Sequence, residues 1–482
     1  MTHLAQLQRR AWLPCVGALL SFAMYACNLR VFSAAAFGVI AMNRSLDPST
    51  GPIDRNREHQ VYITRVVAFI CTGFLITPGV VLVAGRRGAV LFGSVLVLLA
   101  GVVQIAAIQY VAAAFAATAI VSIGHGIALP SALLYAAELA PAASRGRILA
   151  FGNVALYTGF LVSYWAVFGL GWVDWVDRMW SAYRAIVSIM FLFALIVPVS
   201  MLFAPNTPPL GHDGYEAPRP LAVVRAAGFP AKRVAIAVAL NVFASINGHN
   251  EISWWSSRIY IYGFGRSRTV EPQFGFSLDG WIINSVQTVI GLLGAVVGLL
   301  LIDKLGRRKL LIIGSALLAL WMVTIGGLGA GMGSNLVLDG ISGERPGNLR
   351  SLAIGWAVVD SVADLASAAT WEAVTLVYTA EMFAPAVGTW AVPMSFMTHF
   401  VATAIFSDLA FEKFGEKSGT HMFFFFFALN ILFGLFVFFF LPETKGVPLE
   451  NMEQLFAGPA RQAHRLDLQQ VDSDDKRREP AA

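Results

Sequence analysis

The chain has 482 residues, of which 57% are hydrophobic and only 13% charged, with a formal net charge of +5. Soluble domains carry about 25% charged residues, so a mean hydropathy of +0.67 excludes a single water-soluble core and demands a bilayer as solvent. The surplus of basic residues is accounted for by membrane topology and requires no nucleic-acid partner.

Apolar runs of about 20 residues or more read as membrane-spanning helices, which satisfy their own backbone hydrogen bonds. They fall at 12–41, 62–84, 88–109, 111–137, 148–172, 185–204, 234–262, 280–302, 310–332, 352–382, 389–410 and 420–441. The first run follows Arg9 and Arg10 but is too long for a signal peptide and is followed by further spans, so it reads as an uncleaved helix. With the N-terminus inside, Arg86–Arg87, Arg145, Arg147, the 219–233 stretch, Lys304 and Arg307–Lys309 all lie in inner loops. That places both termini in the cytoplasm and the sequon Asn43-Arg44-Ser45 in an outer loop, where it predicts glycosylation of Asn43. Cys15, Cys27 and Cys71 offer neither a disulfide framework nor zinc spacing. No hydrolase triad or phosphate loop appears, so the expectation is a non-enzyme without cofactor or metal.

The chain repeats itself. Gly85-Arg86-Arg87 follows the second span, and Asp303-Lys304-Leu305-Gly306-Arg307-Arg308 follows the eighth. The fourth span ends in Tyr135-Ala136-Ala137-Glu138, and the tenth in Tyr378-Thr379-Ala380-Glu381. The predicted organisation is a cytoplasmic N-terminus (1–11), a six-helix half (12–204), a linker (205–232), a second half (233–441) and a cytoplasmic tail (442–482). Two repeated halves suit alternating access, in which one half rocks against the other around a central site.

On these residues the chain resembles the sugar porters of the major facilitator superfamily, with the fungal hexose-transporter pattern nearest. Pro442-Glu443-Thr444-Lys445-Gly446 matches the signature after the last helix, Asp303 to Arg308 the D-x-x-G-R-R loop, and Glu138 to Pro141 with Arg145-Gly146 the E-x-x-P-x-x-x-R-G loop. The resemblance implies an all-α membrane fold of about 12 helices in two pseudo-symmetric halves. It also implies a gating network in which Glu138, Asp303, Glu381 and Glu443 bind Arg86, Arg87, Arg145, Arg307 and Arg308 when the inner side is closed. The alternative for these cations is plain positive-inside anchoring. Leu82 stands where the first-half loop usually has Asp, and Ala386 and Gly388 replace arginines after Glu381, so a thinner lock is expected.

The implied solute site departs further from the family. Asn250 keeps the seventh-span amide, and the aromatic pair beside it becomes Trp254 and Trp255. The glutamine pair upstream is replaced by Ala244 and Ser245, the fifth-span Gln by Asn153, and the eleventh-span Asn-Trp by His399 and Phe400. The tenth-span segment keeps Trp371 but loses its helix-breaking Gly-Pro, with Glu372 and Ala373 there instead. Asn250, Asn153, His399, Trp254, Trp371 and Glu372 are the candidate lining residues. The competing readings are helix packing for the tryptophans and interhelical hydrogen bonding for the asparagines.

Ionisable residues inside spans are functional hypotheses by default. Asp364, Glu372 and Glu251 read as cavity residues, whereas Asp360, Arg258 and Arg30 read as groups near the outer surface paired with neighbours or water. The first span has no carboxylate where the family's proton-coupled members need one, since Ala23-Met24-Tyr25-Ala26 stands there. The expected activity is therefore facilitated transport of a sugar or similar small polyhydroxylated solute by a monomer in the plasma membrane. A transport-inactive sensor or scaffold, and a proton symporter using Glu251 or Glu372, are the alternatives.

Overall fold

The computed structural model describes residues 12–46, 55–106, 110–170, 193–206, 231–249, 278–332, 349–406 and 418–457, together with 184, 187–188, 252, 256 and 259–260. In chain order the helices are α1 (Trp12–Leu46), α2 (Arg55–Cys71), α3 (Thr77–Ala106), α4 (Val111–Leu139), α5 (Arg145–Leu170), α6 (Phe193–Phe203) and α7 (Ala231–Ser245). They continue as α8 (Leu278–Leu305), α9 (Arg307–Met332), α10 (Leu349–Ser367), α11 (Ala373–Glu381), α12 (Pro385–Thr403), α13 (Met422–Phe440) and the short α14 (Met452–Ala457). Wide π turns at Thr72–Ile76 and Ala368–Glu372 join α2 to α3 and α10 to α11 without a break.

Among the described residues, 9 helices are long and apolar enough to cross a membrane. Eight correspond one to one with expected spans, and Tyr62–Ala106 covers two. The sixth and seventh expected spans are represented by Phe193–Phe203 and Ala231–Ser245. α1 runs on to Leu46, so the Asn43 sequon expected in a loop falls on its last turns, with the side chain outside the described residues.

Lipid rather than water explains the helix surfaces. On α13 the buried residues Phe423, Phe426, Asn430, Phe433 and Val437 recur at three- and four-residue spacing and face α9. Phe424, Phe425, Phe438, Phe439 and Phe440 point outward and are exposed, which only hydrocarbon tolerates over such an area. Between helices, small residues let backbones meet. A Cβ on Gly93 of α3 would lie 2.6 Å from the Gly124 carbonyl of α4, and one on Gly298 of α8 would lie 2.6 Å from the Ala369 carbonyl.

The two repeated G-R-R segments are turns of a single glycine, not the loops expected. Gly85 has φ 72° and Gly306 φ 88°, a left-handed conformation that costs other residues about 1–2 kcal/mol. Gly306 lets the chain leave α8 and start α9 at once, so Asp303 lies in the last turn of α8 and Arg307 in the first of α9, and Gly85 makes the corresponding kink within α3. A Cβ at Gly306 would also lie 2.5 Å from Glu443 Oε2, whereas nothing lies within 4 Å of one at Gly85. Gly306→Ala is expected to lower stability by about 2–3 kcal/mol, combining strain with displacement of Glu443, and Gly85→Ala by about 1–2 kcal/mol. Thermal unfolding of the two purified variants should give that order; equal losses would contradict the role given to Glu443.

Helices before residue 206 and after residue 231 form two groups, packed against each other chiefly through α5 with α8 and through α12 with α3 and α4. At one end these groups carry the G-R-R turns and are bonded together. Towards the middle they part around a cavity.

Candidate functional site

At the end bearing the motifs, the expected gating residues assemble into two clusters. In the first, Arg86 donates from Nε to Glu138 Oε1 (2.9 Å) and from Nη2 to the Pro385 carbonyl (3.1 Å) and Thr389 Oγ1 (3.2 Å), so it joins α3 and α4 to α12. Arg87 instead donates to the carbonyls of Met201 (2.6 Å) and Leu202 (2.8 Å), capping the C-terminus of α6. Leu82, in the place of the usual Asp, is half exposed.

In the second cluster Arg307, whose side chain is fully buried, makes a forked pair with Glu381: Nη2 to Oε1 at 2.7 Å and Nε to Oε2 at 3.1 Å. It also reaches Asp303 Oδ1 (3.1 Å), while Thr444 Oγ1 donates to Glu381 (3.2 Å). Glu443 accepts the backbone N–H groups of Arg307 (2.9 Å) and Arg308 (3.1 Å), placing a carboxylate on the positive N-terminus of α9. Arg308 Nη2 bonds the Phe438 carbonyl at 2.6 Å. Arg147 pairs with Asp303 (3.1 Å) and Arg145 donates to the Val447 carbonyl (3.2 Å), so both groups of helices meet here too. Arg147 was not among the expected gating residues, although it lies two residues from Arg145 in the first turn of α5.

The cavity between the groups has a volume of about 670 Å³ and is lined from both. Its aromatic part is a cluster in which Phe69 stacks on Tyr25 (5.6 Å between centroids) and meets the edge of Phe400 (4.7 Å), joining α1 and α2 to α12. On the N-terminal wall, Asn28 Nδ2 and His125 Nε2 are 2.8 Å apart. On the C-terminal wall, His249 Nε2 lies 2.9 Å from Asp364 Oδ1 and 3.7 Å from Glu372 Oε1. Glu372 Oε1 also accepts from Ser367 Oγ (3.1 Å) and, across the groups, from Tyr157 OH (3.3 Å).

Of the six candidate lining residues, Asn153, His399 and Glu372 line this cavity. Asn153 donates from Nδ2 to the Ala368 carbonyl (2.9 Å) in the π turn, and its buried Oδ1 has no partner. Trp371 does not line the cavity: it is fully buried, donates to Ser315 Oγ (3.1 Å) and meets the edge of Phe433. The π turn explains the correction, because it supplies the irregular backbone that Gly-Pro would have given and turns Glu372, not Trp371, to the cavity. Asn250, Trp254, Glu251 and Arg258 lie outside the described residues, as does the side chain of Arg30.

Asp360 pairs with neighbours, as expected, but it is buried rather than at a surface. It is 2% exposed and accepts hydrogen bonds from Tyr260 OH (2.9 Å), Gln287 Nε2 (2.6 Å) and Ser256 Oγ, the last held in turn by Trp356. Asn28, His125 and Tyr157 were missed. Polar residues inside apolar runs are a signal, but only packing tells which of them share a cavity.

Comparison with known proteins identifies the pattern. A family model described as "Sugar (and other) transporter" matches residues 17–209 and 223–456. A sugar transport protein of Oryza sativa is 26% identical over 405 residues, covering 77% of this chain and 72% of that protein. An arabinose-proton symporter of Bacillus subtilis is 25% identical over 409 residues, covering 77% of this chain and 81% of the relative. Among solved structures, the proton:xylose symporter XylE of the major facilitator superfamily, bound to 6-bromo-6-deoxy-D-glucose, superposes with TM-score 0.73 at 20% identity, over 92% of this chain and 99% of that one. The inward open conformation of XylE from E. coli superposes with TM-score 0.59, also at 20% identity, over 93% and 99%.

Proposed function

The chain belongs to the sugar transporter family, and from that premise we propose that it carries a sugar or similar small polyhydroxylated solute across the plasma membrane by alternating access. Members of this family are transporters rather than enzymes, and the fold is that of the major facilitator superfamily. The observation that carries the reading is a cavity of about 670 Å³, of a size for a small solute, lined by both helix groups, which are bonded to each other at the motif end. The two halves are residues 12–204 and 233–441, joined by a cytoplasmic linker (205–232), with the termini 1–11 and 442–482 on the cytoplasmic side. In this assignment the motif end is the inner gate, formed by Arg86, Arg87, Glu138, Arg145, Asp303, Arg307, Arg308, Glu381 and Glu443. Asn43 faces outside as a glycosylation acceptor, and the unit of transport is the monomer.

Asn153 and His399 contact the solute from opposite groups, and Asn250 and Trp254 complete the site. An unpartnered buried amide oxygen costs about 1–3 kcal/mol, which a solute hydroxyl recovers by donating to Asn153 Oδ1. Asn153→Ala is accordingly expected to raise KM about tenfold; an unchanged KM would remove Asn153 from the site. Transport is facilitative, because no described residue of the first helix supplies a carboxylate to the cavity. A second reading, proton symport, is favoured by one observation: Glu372 sits on the cavity wall within hydrogen-bond reach of Tyr157. Expression in a yeast lacking hexose transporters, with labelled uptake across a panel of sugars and polyols, tests the function. Uptake of at least one solute is expected, and none by a surface-localised protein would favour a sensor or scaffold. Luminal acidification accompanying uptake in proteoliposomes would favour symport.

A further inference from the structure

We propose that the C-terminal wall of the cavity is a cation subsite, and that the preferred solute is a protonated polyhydroxylated amine, of which an amino sugar is the simplest type. The inference rests on reading the cavity as the solute site, and it specifies the solute's charge. Asp364 and Glu372 both approach His249 Nε2, at 2.9 and 3.7 Å. One imidazole carries at most one positive charge, so whenever both carboxyls ionise the cluster is net negative even with His249 protonated.

Among the described residues, none beside the cluster supplies the missing cation. Facing the cluster are Tyr157 from α5, Ser367 and Asp360 from α10, and Gln287 from α8, which is uncharged and bonded to Asp360. Asp360 lies one turn from Asp364 and adds a third carboxyl group. Among the described lining residues the only arginine or lysine is Arg65, on the opposite wall, where it donates to the Leu29 carbonyl (3.4 Å). Ionising these carboxyls without a counter-charge at membrane depth is costly, and a cationic solute entering the cavity offsets that cost.

A second, independent observation points the same way. Asn153 is fully buried on the cavity wall, spends its N–H donor on Ala368, and leaves Oδ1 unpartnered. Glu372 Oε1 is already occupied by Tyr157 and Ser367, while the side chain remains 26% exposed. Oε2 of Glu372 and Oδ1 of Asn153 are therefore acceptors awaiting a donor. An ammonium group is a donor three times over and accepts nothing, and charge-assisted bonds are about twice as strong as neutral ones. A neutral hexose offers the hydroxyl donors but leaves the charge unmatched.

The test uses the purified full-length protein and four probes: D-glucose, D-glucosamine, N-acetyl-D-glucosamine and D-glucuronate, each titrated for thermal stabilisation. D-glucosamine should half-saturate at a concentration about tenfold below D-glucose. N-acetylation, which removes the charge but keeps the nitrogen, should abolish that advantage, and D-glucuronate should bind least. Glu372→Gln and Asp364→Asn should each bring the glucosamine-to-glucose ratio close to one. The wild-type series decides the matter if a variant fails to fold. Equal or weaker binding of glucosamine overturns the inference. So does a pH-gradient response of uptake that Glu372→Gln removes while both sugars bind alike, because the carboxylates would then serve a proton. Glucose uptake without an amine preference sinks this inference and leaves transport standing. Amine-selective binding with no uptake of any solute sinks transport and leaves the subsite.

Discussion

Replacing Arg307 with alanine is expected to destabilise the protein by about 3–5 kcal/mol and to abolish transport. The magnitude follows from burial: the Arg307 side chain is 0% exposed and that of Glu381 2%. Removing the guanidinium strands Glu381 among apolar helices, while Asp303 keeps its pair with Arg147. Burying a charge whose partner has gone is far costlier than exposing one at a surface. Arg307→Lys is expected to rescue little, since a point charge cannot make the forked pair that spans Glu381 Oε1 and Oε2. The double variant Arg307→Ala/Glu381→Ala should lose less than the sum of the single losses, because no carboxylate is left unpaired at Glu381. Thermal unfolding in detergent, followed by counterflow in proteoliposomes, measures both effects. A loss below about 1 kcal/mol would mean that water reaches the pair and that it works as an exposed bridge.

The second large effect is on conformation. Arg86 holds Glu138 within its own group of helices and, through Nη2, the Pro385 carbonyl and Thr389 Oγ1 of the other. Hydrogen bonds from a charged donor contribute about 1.5–3 kcal/mol each. Arg86→Ala should therefore shift the equilibrium toward the form open at the motif end by about tenfold to a hundredfold. Spin labels at Ala143 and Lys445, exposed residues on the two groups near the Arg145–Val447 bond, should report a longer distance in the variant. Glu138→Gln should shift it less, since the two bonds from Arg86 to α12 survive. An unchanged distance distribution in Arg86→Ala would show that Arg147–Asp303 and Arg145–Val447 hold the end shut without it.

Much of this inner-face chemistry was legible in the chain. Glu138 and Glu381 close spans at matching places in the two repeats, Asp303 and Glu443 lie beside basic residues in the second, and oppositely charged groups at helix ends have few alternatives to one another. Arg87 departs from this, since it caps α6, and the side chains of Arg308 and Arg145 likewise donate to the Phe438 and Val447 carbonyls. The cavity was read less well. Asn153, His399 and Glu372 line it, but Trp371 packs against Ser315 and Phe433 instead. Asp360, placed by its sequence position near the surface, is enclosed by Tyr260, Gln287 and Ser256.

By itself the sequence determined the solvent, the helical class, the internal repeat and the charged residues at the helix ends. Each of these is a local property: hydropathy over about 20 residues, glycine before a pair of arginines, a carboxylate closing a span. Tertiary structure alone decided which polar side chains share the cavity. A helix that is apolar all round carries no periodicity to fix its rotation, so its inward face is chosen by the neighbours it packs against. In α10 the choice is made by the π turn Ala368–Glu372, which buries Trp371 and turns Glu372 to the cavity.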